Sequence, residues 1–208
     1  VPGRRLNKPV ADALKRASVV MADESTPVTV DVLLVYTEAA ETWAADAQNG
    51  PIANMVALSF ASANEAFANS DTFVTLNLVH SQKVGDSFPG ADEALGALAD
   101  PADGHLDDVH LLRDIHGADL VCLFDRMPSA DWAGIAQLFT GDSTQGFSIV
   151  DVKWAIDGLT FAHEIGHNFG CGHHRDQYGV WPYEISYASA NRWQGVDGIF
   201  YRSLMAYS

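Results

Sequence analysis

The residues best suited to chemistry lie in one stretch, which starts at His163 and reads His-Glu-Ile-Gly-His-Asn-Phe-Gly-Cys-Gly-His. His163 and His167 are four residues apart, so on a helix both imidazoles project from one face and can hold one metal ion. Gly170 can take the left-handed conformation that ends a helix, and the turn brings His173 back as a third nitrogen ligand. Three nitrogen ligands leave a fourth position for water, as in catalytic zinc sites. Glu164 is not needed as a ligand and is placed to take a proton from that water.

The spacing of this stretch disfavours the alternative of an ordinary helix with surface histidines. A bare H-E-x-x-H pattern can occur by chance, whereas here three ligands, a base and a turn glycine fall in register. Cys171 lies inside the stretch, but a fourth protein ligand would close the site to water. The predicted cofactor is therefore one catalytic Zn²⁺ ion. The acidic surface can also hold Ca²⁺, although the sequence shows no clear calcium-binding loop.

The stretch resembles the zinc motif H-E-x-x-H-x-x-G-x-x-H of the metzincin metalloendopeptidases. That family carries a methionine on a tight turn beneath the metal, and Ser203-Leu204-Met205-Ala206-Tyr207 is similar to this turn. The resemblance implies that Met205 is an apolar floor under the imidazoles, with plain core filling as the other reading. For Tyr207 it implies a group that binds zinc at rest and then stabilises the transition state, as in astacin-like and serralysin-like enzymes. A buried tyrosine outside the chemistry is the alternative.

A narrower resemblance covers residues 182–208, which are similar in order and spacing to bacterial peptidyl-Asp metalloendopeptidases and related reprolysin-like enzymes. It is carried by the runs Pro182-Tyr183-Glu184, Tyr187-Ala188-Ser189-Ala190-Asn191-Arg192-Trp193, Gly195-Val196-Asp197-Gly198 and Tyr201-Arg202-Ser203-Leu204-Met205-Ala206-Tyr207. His174 departs from the pattern, because the reprolysin-like enzymes often have Asp directly after the third histidine. The resemblance implies a preference for acidic residues on the primed side, with Arg192 or Arg202 as the cation. Structural salt bridges or hydrogen bonds for both arginines, and a hydrophobic pocket, remain open.

Composition and charge bound the domain organisation and the partners. The chain has 208 residues, 48% of them hydrophobic, which is enough for one domain with an ordinary core. The net charge is −15, and five of the twelve basic residues lie in the first sixteen positions, so the remainder is more acidic still. Such a surface repels nucleic acid and anionic membranes, and we expect neither as a partner. No apolar run is long enough to span a membrane.

The elements that must position the motif follow from periodicity and turn residues. Strands are predicted at 28–36, 73–80, 118–124, 135–140 and 147–152, and helices at 38–48, 52–69, 92–99, 103–116 and 159–169. The alternation of strands and helices predicts an α/β (α+β) fold with a mostly parallel sheet. The metzincin resemblance implies five strands, with Gly134-Ile135-Ala136-Gln137-Leu138 as an edge strand that pairs with an extended peptide.

The predicted organisation is an N-terminal arm and one catalytic domain. Residues 1–27 are interpreted as a propeptide remnant or an arm wrapped on the domain, with plain disorder as the alternative, and 28–208 as the domain. The resemblance implies an upper lobe at 28–170 and a small irregular lower lobe at 171–208, across an active-site cleft. Because the chain starts at Val1 without Met, we expect a processed form. Cys122 and Cys171 form either a disulfide, which would suit a secreted enzyme, or two separate thiols.

The sequence thus predicts a secreted, zinc-dependent endopeptidase in which Glu164 is the general base. Its partners would be protein or peptide substrates and its own propeptide. The main alternative is a latent or non-catalytic zinc-binding protein of the same fold, and the intact Glu164 argues against a decoy. A zinc hydrolase of small amides is a third reading, which the edge-strand pattern disfavours.

Overall fold

The computed structural model describes residues 26–46, 50–126, 132–139, 142, 144–177 and 188–207. The predicted arm lies outside the described residues except for its last two positions. Residues 182–187, which carry the first part of the narrower resemblance, lie outside them as well.

A five-stranded sheet forms the centre of the molecule. Its strands are β1 (Val28–Tyr36), β2 (Val74–Lys83), β3 (Leu120–Asp125), β4 (Gly134–Ala136) and β5 (Phe147–Asp151). Their order is β2-β1-β3-β5-β4, and every pair is parallel except the antiparallel pair of β4 and β5. The mixed α/β fold with a mostly parallel five-stranded sheet is therefore confirmed, with β4 at one edge.

Helices cover both faces of this sheet. They are α1 (Glu38–Asp46), α2 (Ile52–Asn69), α3 (Ala91–Ala99), α4 (Asp107–His116) and α5 (Thr160–Asn168). Alternate residues of β1 point to opposite faces: Val32 and Leu34 pack with α1, α2 and α5, whereas Leu33 and Val35 pack with α3 and α4. Because both faces are covered, β3 and β5 are buried over their whole length.

Three predicted boundaries differ from the structure by three residues or more. Helix α4 starts at Asp107 rather than at residue 103, because Leu106 before it takes a left-handed conformation (φ 54°). Strand β4 ends at Ala136 rather than at 140, because the Phe139 N–H donates to the His167 carbonyl instead of to β5. Strand β2 runs three residues further than predicted, to Lys83, paired with β1.

The chain after α5 forms small paired segments instead of a third layer. Strand β6 (Gly172–His174) pairs in parallel with β7 (Ser189–Ala190), and β8 (Arg192–Gln194) forms an antiparallel hairpin with β9 (Phe200–Arg202). Every residue of β8 and β9 is exposed. In the part of the chain that the structure describes, no helix has the length and apolar character needed to cross a membrane.

Candidate functional site

Helix α5 carries the first two histidines, and all nine of its residues are buried. The helix ends at Asn168, and Gly170, two residues further on, has the left-handed φ of 88° that the sequence predicts. The Gly170 N–H donates to the His167 carbonyl at 2.8 Å, and the Cys171 N–H donates to Gly166 at 2.9 Å. These bonds satisfy the last carbonyls of the helix, and the chain then turns back into β6, which carries His173.

The three histidines converge through their Nε2 atoms. The His173 Nε2 atom lies 2.9 Å from the Nε2 atoms of both His163 and His167. Backbone carbonyls hold two of the rings from behind: His163 Nδ1–H donates to Leu204 O at 2.9 Å, and His167 Nδ1–H donates to Cys171 O at 2.7 Å. These bonds leave the two Nε2 lone pairs free to ligate, which is the arrangement that metal-bound histidines need.

The donor set fits a metal that prefers neutral imidazole. Burial lowers the pKa of His163, and burial with the neighbouring histidines lowers the pKa of His167 to about 4 and of His173 to about 3. The three rings are therefore neutral near pH 7, the form in which imidazole binds a metal. Among the described residues, these histidines are the one group of three or more metal-ligating side chains. Three nitrogen donors suit zinc, whereas calcium requires oxygen ligands.

Glu164 is a buried carboxyl group beside this cluster, with 4% of its surface exposed. Burial raises its pKa to about 8, because the protein interior disfavours the charged form. A divalent cation held by the neighbouring histidines would favour the carboxylate and lower this pKa again. The carboxyl group faces β4, where its Cγ and Oε1 atoms approach Gly134.

Met205 lies in a turn that is closed by a bond from the Ala206 N–H to the Ser203 carbonyl at 3.0 Å. Its side chain is 8% exposed and packs against Gly166, where an added Cβ would collide with the Met205 sulfur atom. The preceding residue, Leu204, supplies the carbonyl that holds His163. The turn thus contacts α5 both through the Met205 thioether and through a bond to a ligand histidine.

Tyr207 lies against the histidine cluster and is 51% exposed, so the alternative of a buried tyrosine is wrong. Its ring centroid lies 4.1 Å from that of His173 and 5.9 Å from that of His163. Its backbone N–H donates to the Gln177 side chain at 2.9 Å. The phenol is therefore held beside the cluster and open to the cleft.

A cavity of ≈ 120 Å³ opens between β4 and the cluster. Its lining combines edge-strand residues, the motif and aromatic side chains: Trp132, Gly134, Ile135, Ala136, Leu138, Glu164, His167, Gly172, His173 and Tyr207. The backbones of Ala133 and Gln137 hydrogen-bond to β5. The backbones of Gly134 and Ala136 therefore face the free edge of the sheet, where an extended peptide can pair with them.

The two candidate specificity arginines lie opposite each other in the β8–β9 hairpin. Arg202 donates to the carbonyl of Ala206 in the methionine turn. Within the described ranges, neither Arg192 nor Arg202 has a carboxylate partner within 4 Å. The alternative of structural salt bridges or hydrogen bonds is therefore met for Arg202 by a hydrogen bond, whereas neither arginine has a salt bridge among the described residues.

Sequence reasoning missed Asn168, which connects the motif helix to the sheet edge. Its Nδ2 group donates to Gln137 O at 2.9 Å and to Phe147 O at 3.0 Å, so it holds the end of β4 beside the start of β5. Its position directly after His167 was the available signal.

The two cysteines are free, Cys122 inside β3 and Cys171 beyond α5, so the alternative of two separate thiols is the correct one.

Comparison with protein families places this geometry in a known group. A family model described as Metallo-peptidase family M12 matches residues 26–208, which is most of the chain. A solved structure titled "Structure of a chaperone-substrate complex" aligns with a TM-score of 0.63 and 19% identity, over 86% of this chain and 30% of that chain. At this identity the likeness shows the fold alone.

Curated relatives share one name. A peptidyl-Asp metalloendopeptidase of Stenotrophomonas maltophilia (strain K279a) is 29% identical over 202 residues, covering 96% of this chain and 46% of the relative. A peptidyl-Asp metalloendopeptidase of Pseudomonas aeruginosa PAO1 is 31% identical over 214 residues, covering 91% of this chain and 34% of the relative. The chain thus spans less than half the length of these relatives.

Proposed function

The chain belongs to metallo-peptidase family M12, the reprolysin-like enzymes, and on that premise we propose that it is a secreted, zinc-dependent endopeptidase. The observation that carries the proposal is the convergence of three Nε2 atoms beside a buried carboxyl group and a free sheet edge. The same residues cannot be explained as core packing, because four polar side chains are buried together within one helix and the strand after it.

His163, His167 and His173 would hold the ion. When bound there, zinc acidifies a water molecule and polarises the scissile carbonyl. The Nδ1 bonds from His163 and His167 to backbone carbonyls keep two of the ligands oriented before the ion arrives. This preorganisation means that little side-chain movement is needed on metal binding.

Glu164 would act as the general base and then as the general acid. It accepts a proton from the attacking water and delivers it to the amine of the leaving peptide. Tyr207, which lines the cavity beside His173, is proposed to donate a hydrogen bond to the developing oxyanion. Burial of Glu164 keeps bulk water away from its carboxyl group before substrate binds.

The substrate backbone would pair with β4 as an added strand. Gly134 and Ala136 offer outward-facing N–H and C=O groups, and Ile135 and Gln137 complete the strand against β5. Protein or peptide substrates are the proposed partners, and residues 1–27 are proposed as a propeptide remnant.

For specificity we propose acidic residues on the primed side, as the name of the relatives suggests for those proteins. Like charges directly opposite each other in a hairpin repel, so Arg192 and Arg202 would gain from an anion between them. In a protein of net charge −15 such a cationic pair is unusual, and it lies just before the methionine turn. A carboxylate side chain of the substrate would supply the missing counter-charge.

The test is digestion of a proteome-derived peptide library with and without a zinc chelator, with cleavage sites identified by mass spectrometry. We expect chelator-sensitive cleavage with Asp or Glu after the cut. Cuts before apolar residues would keep the peptidase and remove the acidic preference. Absence of cleavage with zinc bound would favour the latent or non-catalytic alternative, and removal of residues 1–27 would then separate latency from inactivity.

Glu164→Gln separates the metal from the base. This variant should bind one equivalent of zinc but lose a factor of about 10² to 10⁴ in kcat, because it keeps the shape of the side chain and removes proton transfer. Glu65→Gln on the exposed surface of α2 is the control and should behave as the wild type. A Glu164→Gln variant with normal kcat would remove the proposed mechanism.

A further inference from the structure

We propose that Gly134 is a positioning residue whose missing side chain gives the Glu164 carboxyl group its place under the edge strand. This inference rests on the proposed function, because it concerns the base of that reaction. The observation behind it is a contact between two elements, because Gly134 lies in β4 and Glu164 lies in α5.

The space between the two residues is smaller than a methyl group. A Cβ atom built on Gly134 would lie 2.7 Å from both Cγ and Oε1 of Glu164, and 2.9 Å from its Cδ. These distances are well inside ordinary carbon–carbon and carbon–oxygen contact, near 3.5 Å or more. Gly134 is not among the glycines with positive φ, so its backbone conformation suits alanine as well. The requirement for glycine is therefore steric, and the three heavy atoms nearest to the added Cβ all belong to Glu164.

Neither side of this contact can move away easily. Strand β4 is held on both sides of Gly134, by bonds from Asp151 N–H to Ala133 O at 2.9 Å and from Gln137 N–H to Phe147 O at 3.0 Å. Asn168 fixes the end of the strand to α5. Helix α5 is buried along its whole length, so the backbone of Glu164 is equally fixed. A methyl group at 134 would therefore displace the carboxyl group.

The arrangement matters for catalysis because the same glycine faces the substrate. Its N–H and C=O point to the free edge, while its open Cα face receives the Glu164 side chain. The base is thus placed directly beside the strand that the substrate joins. Misplacement of a catalytic group by about 1 Å can cost about 10²-fold in rate. Gly134 sets this distance without contacting the reacting atoms.

Gly134→Ala is the direct test. It should lower kcat by about 10²-fold with KM nearly unchanged and one equivalent of zinc retained, because the ligands and the free edge remain. Gly96→Ala is the matched control: Gly96 lies inside α3, where an added Cβ meets nothing within 4 Å, so kcat should not change. A Gly134→Ala enzyme with wild-type kcat would overturn the proposal.

A double variant distinguishes steric displacement from general damage to β4. Glu164→Ala removes all three atoms that a Cβ at position 134 would strike, so in this background Gly134→Ala should lower the residual kcat less than threefold. An equally large loss in both backgrounds would overturn the steric explanation.

Crystal structures of the zinc-loaded wild type and Gly134→Ala give a readout that does not need activity. We expect the Glu164 carboxyl group to lie against Gly134 in the wild type and to be displaced in the variant. An unmoved carboxyl group would overturn the proposal. A wild type that cleaves no peptide would refute the proposed function, whereas the two structures would still decide the role of Gly134.

Discussion

The two halves of the candidate site are built in opposite ways. Helix α5 and strands β3 and β5 are buried at every residue, whereas every residue of strands β8 and β9 is exposed. The first region holds two histidines and Glu164, and the second holds Arg192 and Arg202. Close packing fixes side chains to fractions of an ångström, which proton transfer and metal binding require. Recognition of a substrate charge tolerates a looser element.

The junction between the two regions is narrow. The hairpin is closed at its base by hydrogen bonds between Asn191 and Ser203, including Ser203 N–H to Asn191 O at 2.9 Å. The methionine turn follows directly and contacts α5 through Met205 and Leu204. We infer that changes in the buried region alter metal binding and kcat, whereas changes in the hairpin alter substrate preference. The predictions below test this division.

The largest effect is expected for His167→Ala. The substitution removes one of three nitrogen ligands, so the purified protein should contain far less than one equivalent of zinc by elemental analysis and show no peptidase activity. His105→Ala is the control, because the His105 side chain is 60% exposed and lies outside the cluster. Unchanged zinc content in His167→Ala would remove His167 from the site.

A smaller effect is expected for Asn168→Leu, which keeps the branched shape of the side chain and removes both bonds to the sheet. Loss of the two donors leaves the buried carbonyls of Gln137 and Phe147 without this partner, and should lower the free energy of unfolding by about 1–3 kcal/mol. Because the end of β4 also loses this hydrogen bond to α5, kcat should fall about tenfold with zinc retained. Urea unfolding and steady-state kinetics measure the two effects.

Asn64→Leu is a matched control at the opposite edge of the sheet. Asn64 in α2 bonds to both the N–H and the carbonyl of Leu76 in β2, at 2.7 and 3.0 Å. The variant should lose a similar free energy of unfolding, about 1–3 kcal/mol, with kcat unchanged. If both variants lost kcat equally, the effect of Asn168 would be general destabilisation and not positioning of the edge strand.

Arg192→Gln is expected to weaken the preference for acidic peptides without affecting the chemical step. Removing one of the two opposed cations should lower kcat/KM about tenfold for peptides with Asp after the cut, an effect of about 1.4 kcal/mol, and leave neutral peptides unchanged. Lys83→Gln removes the same charge at the far edge strand, and it should leave the ratio of kcat/KM for acidic peptides to kcat/KM for neutral peptides unchanged. If Arg192→Gln kept the wild-type ratio of these two kcat/KM values, Arg192 would not recognise the acidic residue of the substrate.

The same division explains what the sequence could predict. His163, His167, Gly170 and His173 lie within eleven consecutive residues. The geometry of a helix followed by a tight turn was therefore enough to predict the histidine cluster. The hydrogen bond between His163 and Leu204 joins residues 41 positions apart, and the one between Asn168 and Gln137 joins residues 31 positions apart. No local sequence pattern encodes such contacts. The steric role of Gly134 depends on how β4 lies on α5, which follows only from the assembled sheet.

The smallest effect is expected for Tyr201→Phe, within the hairpin itself. The substitution removes the hydrogen bond from the Tyr201 hydroxyl group to Asp197 at 2.6 Å and keeps the stacking of Tyr201 on Trp193. Both residues are exposed, so the melting temperature and the zinc content should stay nearly unchanged. The preference for acidic peptides should fall by less than in Arg192→Gln, because a looser hairpin holds the two arginines less firmly. A loss of kcat on neutral peptides as large as that of Asn168→Leu would show that the hairpin supports the chemistry directly, and the division between the two regions would then be wrong.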